Sequence, residues 1–186
     1  VYKDPDCDVK KKISEDDYND LLYAAILHDI GQGPFSHTTD GLLKKLFGGS
    51  DDERSAMIIR GKIKPNFKDR EWIENSGELN LLEEVLKESN IDKERIASII
   101  ERKNLDRYYI DRKCIPQLIN SDLDLDKIDY IVRDTHFTGL VHGAQNPDFI
   151  IKHMTYTPKG ELAFKSSGVN WVVQLLIACL LYTSDA

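Results

Sequence analysis

The chain has 186 residues, 41% hydrophobic and 31% charged, a globular composition that excludes a disordered or low-complexity chain. Its formal charge of -7 and pI near 5.2 argue against a broad nucleic-acid surface, which needs clustered Lys and Arg, so any anionic ligand must be held locally. Cys7, Cys114 and Cys179 are scattered and odd in number, which indicates a reducing, cytoplasmic setting in place of a disulfide framework or zinc ribbon, and the apolar stretch 169–182 is too short and too interrupted to suggest a membrane span.

Residues 1–13 are charged, and Ser14-Glu15-Asp16-Asp17 then has the form of a capping box ahead of Leu21, Leu22, Ala25 and Ile26. This predicts a helix from about 15 to 30, closed by Gly31 with positive φ. Pro34 suits the first turn of a second helix carrying Phe35, Leu42, Leu43, Leu46 and Phe47. Ser50-Asp51-Asp52-Glu53 is another capping box, opening a helix through Ala56, Met57, Ile58 and Ile59. Residues 60–77 read as mixed and partly loop, followed by helical periodicity over 78–87, 93–103 and 115–136. Alternation over 155–164 around Pro158-Lys159-Gly160 predicts a hairpin, with a last helix from near Gly168. The expected fold class is all-α (mainly α) with a small β-hairpin near the C-terminus, in a single domain over 1–178 without repeats or linkers.

The residue pair that stands out is His28-Asp29, at the end of an apolar helical run. Buried-looking polar neighbours need a partner, and adjacent helical positions point roughly 100° apart, so the two converge at the edge of the helix, where a metal ion is the natural partner. The cluster Asp122, Asp124, Asp126 and Asp129 lies downstream and can supply a further carboxylate. Positions 127, 130 and 134 share one helical face through i+3 and i+4 spacing, with 126 beside them. An exposed charged face is the plainer reading of the same residues.

Three segments together carry a resemblance: His28-Asp-Ile-Gly-Gln-Gly-Pro-Phe-Ser-His37, Asp51-Asp-Glu-Arg-Ser55, and Asp124 to Asp134 followed by Phe137-Thr-Gly139. In this order they resemble the HD-domain metal-dependent phosphohydrolases, most closely the deoxynucleoside triphosphate triphosphohydrolase branch and its bacterial and archaeal relatives, over about residues 15–178. The resemblance implies a helical HD fold in which His28, Asp29 and Asp126 hold one divalent metal ion, with Fe, Mn, Zn, Ni and Mg all compatible with mixed imidazole and carboxylate ligation. The fourth family ligand is a histidine on an earlier helix. No histidine precedes His28, so the expectation is that the domain lacks its N-terminal helix here.

By the same resemblance Lys127 and Tyr130 contact phosphates, Asp134 contacts the deoxyribose 3′-hydroxyl, His37 lines the phosphate site and Asp40 orients a catalytic relay. Gln32 stands where many relatives have a histidine, and Asp51 where the pattern has the histidine of a His-Glu pair, with Asp52 in the acid position. Gln32 cannot exchange a proton near neutral pH, and Asp51 serves as an acid only if desolvation or a proton shared with Asp40 raises its pKa. The implied activity is metal-assisted dNTP hydrolysis to deoxynucleoside and tripolyphosphate, by a protein that is a homo-oligomer when full length. The alternatives are a catalytically impaired regulatory module that keeps metal and nucleotide binding and, third, a phosphodiesterase. The ending 179–186 is expected to derive from a sequencing adapter.

Overall fold

The structure is a computed structural model that describes residues 13–62, 84–88, 91–139 and 146–184. Expectations for 1–12, for 63–83, which include the start of the helix expected over 78–87, and for 89–90, 140–145 and 185–186 lie outside these residues. The chain divides into two compact units, one over residues 15–108 and one formed mainly by 109–186.

The first unit contains α1 (Glu15–Leu27), α2 (His37–Phe47), α3 (Asp51–Ile59), α4 (Lys93–Glu101) and α5 (Leu105–Tyr109), the last ending at its boundary. Helix α4 is its centre: Ile96, Ala97, Ser98, Ile99 and Ile100 are all buried, and α1 and α3 pack against it. The core is completed by Leu21, Ala24 and Leu27 of α1 and by Ala56 and Ile59 of α3, apolar residues recurring at helical spacing. Ion pairs reinforce these contacts. Arg95 of α4 reaches Asp17 at 3.0 Å and Asp20 at 2.6 Å, both buried on α1, and Arg60 spans Glu94 at 2.8 Å and Glu101 at 2.6 Å.

The box at Ser50 forms as the sequence suggests, with Ser50 Oγ accepting from Glu53 N and Glu53 Oε2 accepting from Ser50 N. Two expectations change. Helix α2 begins at His37, not at Pro34, because Phe35 and Ser36 have φ of 64° and 49° and cannot belong to a right-handed helix. Gly31 is not among the glycines with positive φ. Its requirement is close approach: a Cβ there would meet the backbone N of Ser55 and come within 2.6 Å of Asp51 O.

The second unit contains α6 (Cys114–Gln117), α7 (Leu125–Thr138), α8 (Pro147–Lys152), β1 (Met154–Tyr156), β2 (Leu162–Phe164), a 3-10 turn (Ser166–Gly168) and α9 (Val169–Ser184). The single helix expected over 115–136 is two. Asp124 interrupts it: its carboxylate accepts from Lys127 N at 2.8 Å and from Ser121 N at 3.1 Å, capping a new helix. The hairpin is present, antiparallel, with Thr155 opposite Ala163, and Gly160 turns at φ 75°. Gln117 Oε1 accepts from Leu162 N at 2.6 Å, which ties β2 to α6. Ile115, Ile128, Ile131, Ile150, Met154 and Leu175 are the principal buried side chains of this unit. Among the described residues no helix is long and apolar enough to cross a membrane.

Candidate metal centre

Helix α1 stops at Leu27, so His28 and Asp29 lie in the turn that follows it. His28 Nδ1 is 2.9 Å from the carbonyl oxygen of Ala25. A carbonyl only accepts, so Nδ1 carries the hydrogen and, in the neutral ring, Nε2 keeps the lone pair. That Nε2 faces Asp29 Oδ2 at 3.3 Å. Two acceptors this close are stable together when a cation joins them, either a proton on the ring or a metal ion. A divalent metal fits, because ligand histidines are oriented in this way, with the second ring nitrogen anchored on a carbonyl. Among the described residues no three His, Cys, Asp or Glu side chains form a group able to hold a metal ion.

The other oxygen of Asp29, Oδ1, accepts from Gln32 Nε2 at 2.6 Å, and Gln32 Oε1 in turn accepts from Ser36 Oγ at 2.9 Å. Helix α3 holds this turn from below. Ser55 Oγ donates to His28 O at 2.6 Å and accepts from Gly31 N at 2.9 Å. Arg54, only 2% exposed, donates from Nε to Gly31 O and from Nη1 to Gly49 O, each at 3.0 Å, and from Nη2 to Asp40 Oδ1 at 2.5 Å. Asp40 is therefore the counter-ion of a buried arginine. His37 stands 82% exposed, with Nδ1 3.9 Å from Asp51 Oδ2. The acid raised above the ordinary carboxylate range is Asp52, through burial first and the neighbouring charge of Asp51 second, against the pull of Arg102 and His28.

The remaining expected residues lie in the second unit, on α7. Asp126, Lys127, Tyr130 and Asp134 are all half-buried. Lys127 Nζ is engaged within the helix start, 2.9 Å from Ser121 O and 3.0 Å from Asp124 Oδ2, and Asp134 Oδ1 is 3.6 Å from Arg133 Nε. The structure thus links His28, Asp29 and Gln32 to one another, Asp40 to Arg54 and His37 to Asp51, and sets the α7 residues on one helix.

An HD-domain family profile matches residues 7–134. The chain belongs to the HD-domain family. This HD domain is 32% identical over 171 residues to an uncharacterized protein of Mycoplasma pneumoniae, the MG461 homologue, covering 89% of the chain and 36% of that protein. It is 28% identical over 160 residues to the uncharacterized protein MJ1154 of Methanocaldococcus jannaschii, covering 83% of the chain and 27% of the relative. Among solved structures it is similar to a phosphohydrolase, BT4208 of Bacteroides thetaiotaomicron, with a TM-score of 0.65 and 26% identity over 93% of the chain and 36% of that protein. The chain thus spans between about a quarter and just over a third of the length of these proteins.

Two residues that support the HD turn escaped the sequence reading. Arg54 and Ser55 sit inside the quoted Asp51–Ser55 segment, yet nothing local marks them as supports of this turn, since the groups they hold there belong to Gly31 and His28, more than twenty residues away. The only available signal is a charged residue beside a small polar one on the face that helical spacing assigns to the core.

Proposed function

We propose that this HD domain hydrolyses phosphate esters with the help of a divalent metal ion held by His28 and Asp29, with Asp126 as a further ligand. The observation that carries this reading is the 3.3 Å approach of His28 Nε2 to Asp29 Oδ2, with the ring fixed by the bond between Nδ1 and Ala25 O. The phosphohydrolase similarity of the fold supports it. The metal would supply Lewis-acid activation of the phosphoryl group. The substrate we propose is a nucleotide, with a dNTP opened at its α-phosphate as the first choice. Lys127, Tyr130 and Asp134 are the proposed substrate contacts, His37 is proposed to line the phosphate site and Asp40 to orient the proton relay, Asp52 joins Asp51 as a candidate acid of that relay, and the full-length protein is proposed to be a cytoplasmic homo-oligomer.

The test is release of tripolyphosphate or orthophosphate from dNTPs by the purified protein with Mn²⁺ or Mg²⁺. Turnover that disappears in His28→Ala and in Asp126→Ala supports the reading, and turnover that survives both refutes it. A second reading is favoured by one specific observation. Gln32 is committed at both ends of its amide, to Asp29 and Ser36, and cannot carry a proton. A metal- and nucleotide-binding module without turnover would bind Mn²⁺ and dNTP in the same assay and release nothing.

A further inference from the structure

We propose that Gln32, backed by Ser36, is a positioning residue that fixes the rotation of the Asp29 carboxylate and so sets the metal affinity of the His28–Asp29 pair. The inference rests on the reading of that pair as metal ligands. A carboxylate on a turn is free to rotate about its terminal torsion, and which oxygen meets His28 depends on what holds the other one. Here Gln32 Nε2, which only donates, holds Oδ1 at 2.6 Å, so that Oδ2 is the oxygen 3.3 Å from His28 Nε2. The carboxylate, which only accepts, sets which end of the amide faces it, and Ser36 Oγ, donating to Oε1 at 2.9 Å, anchors the other end. A flipped amide would set a carbonyl oxygen against the carboxylate.

Ser36 reaches back to Gln32 through an unusual backbone. With φ 49° and ψ -123° it follows Phe35 at φ 64°, two non-glycine residues in succession outside the conformations L side chains prefer. The bend is held by its surroundings: Ser36 N donates to Gly33 O at 3.0 Å, and Thr39 Oγ1 donates to Pro34 O at 2.8 Å. Phe35 is 84% exposed, so the bend is not stabilised by burial of its ring. What the bend accomplishes is delivery of the Ser36 hydroxyl to Gln32. The residue at 32 thereby gains a role that an amide can fill and that needs no proton transfer.

The experiment is Mn²⁺ affinity of the purified full chain, from the EPR signal of free Mn²⁺, for wild type, Gln32→Met, Ser36→Ala, Ser36→Gly, the Gln32→Met/Ser36→Ala double variant and His28→Ala. Gln32→Met is expected to weaken binding about 10- to 100-fold, the range for residues that orient metal ligands. Ser36→Ala and Ser36→Gly are expected to weaken it several-fold alike, although glycine relieves the backbone. Because Ser36 acts through Gln32, the double variant is expected to bind no worse than Gln32→Met, which a general loosening of the loop would not produce. Melting of each apo variant by circular dichroism checks that the fold persists. Affinity within twofold of wild type in Gln32→Met, with binding lost in His28→Ala, overturns the positioning role alone; binding unchanged in His28→Ala overturns the metal reading on which it rests.

Discussion

Replacing Arg54 by Met keeps most of the buried aliphatic stem and removes the guanidinium that bonds Gly31 O, Gly49 O and Asp40 Oδ1. The two carbonyls lose a charged donor that is itself 2% exposed; the buried Gly31 O left without its bond costs about 1–3 kcal/mol, and the half-buried Gly49 O, which water can partly reach, somewhat less. Asp40 is 36% exposed, so water replaces much of what it loses and its share is about 0–1 kcal/mol. Relief of the buried charge offsets part of the total, leaving a net destabilisation of about 2–5 kcal/mol, a large fraction of the ~5–15 kcal/mol that holds a domain together. Urea denaturation at pH 7, followed by far-ultraviolet circular dichroism, should show a lower midpoint at unchanged slope. Arg54→Lys should recover less than half of the loss, since one ammonium cannot span three acceptors in the fork geometry. A loss below about 1 kcal/mol for Arg54→Met would refute the claim that this side chain clamps the turn below His28.

Ser55→Ala removes both the donor to His28 O and the acceptor of Gly31 N, and is expected to cost about 1–3 kcal/mol and to speed hydrogen exchange of the Gly31 amide; unchanged exchange would count against the clamp. Arg95→Met leaves the buried carboxylates of Asp17 and Asp20 without the guanidinium and should cost about 3–5 kcal/mol, read as a lower midpoint in urea denaturation at neutral pH; a loss below about 1 kcal/mol would count against the pairing as a support of the α1–α4 contact. Glu94 is held below the ordinary glutamate value of 4.5 chiefly by its hydrogen bond from Arg60, and Glu53 by its bond from Lys103. Their folded-state pKa values are depressed, so the stability they contribute is present above 4.5 and lost as pH falls through the folded values. Arg60→Met should flatten that part of the pH–stability curve, and an unchanged slope would exclude the Glu94 contribution.

Features encoded by neighbouring residues were legible in the sequence. The Ser50 capping box, the turn at Gly160 and the His28–Asp29 pair all follow from residues within a few positions of each other. What could not be read depends on the chain meeting itself at a distance. Gly31 illustrates the difference: its position after a helix suggests a left-handed cap, whereas the folded chain needs it because Ser55 packs against it. The break between α6 and α7 was hidden because the apolar spacing of Ile115, Leu118 and Ile119 continues smoothly into Leu123, while the decisive event is a carboxylate turning back on its own backbone. The bend at Phe35 and Ser36 was likewise invisible, since neither residue type favours positive φ.

The cap at Asp124 also separates two things that a continuous helix would have locked together. In an unbroken helix each residue inserted or deleted before Asp126 would rotate every later side chain by about 100°. With the start of α7 fixed by the Asp124 carboxylate, Asp126, Lys127, Tyr130 and Asp134 take their bearing around the axis from that cap and its bond to Ser121 N, not from the phase of α6. The same carboxylate holds the Lys127 ammonium, so the alignment of that face and the restraint of its cation are inherited together from one residue.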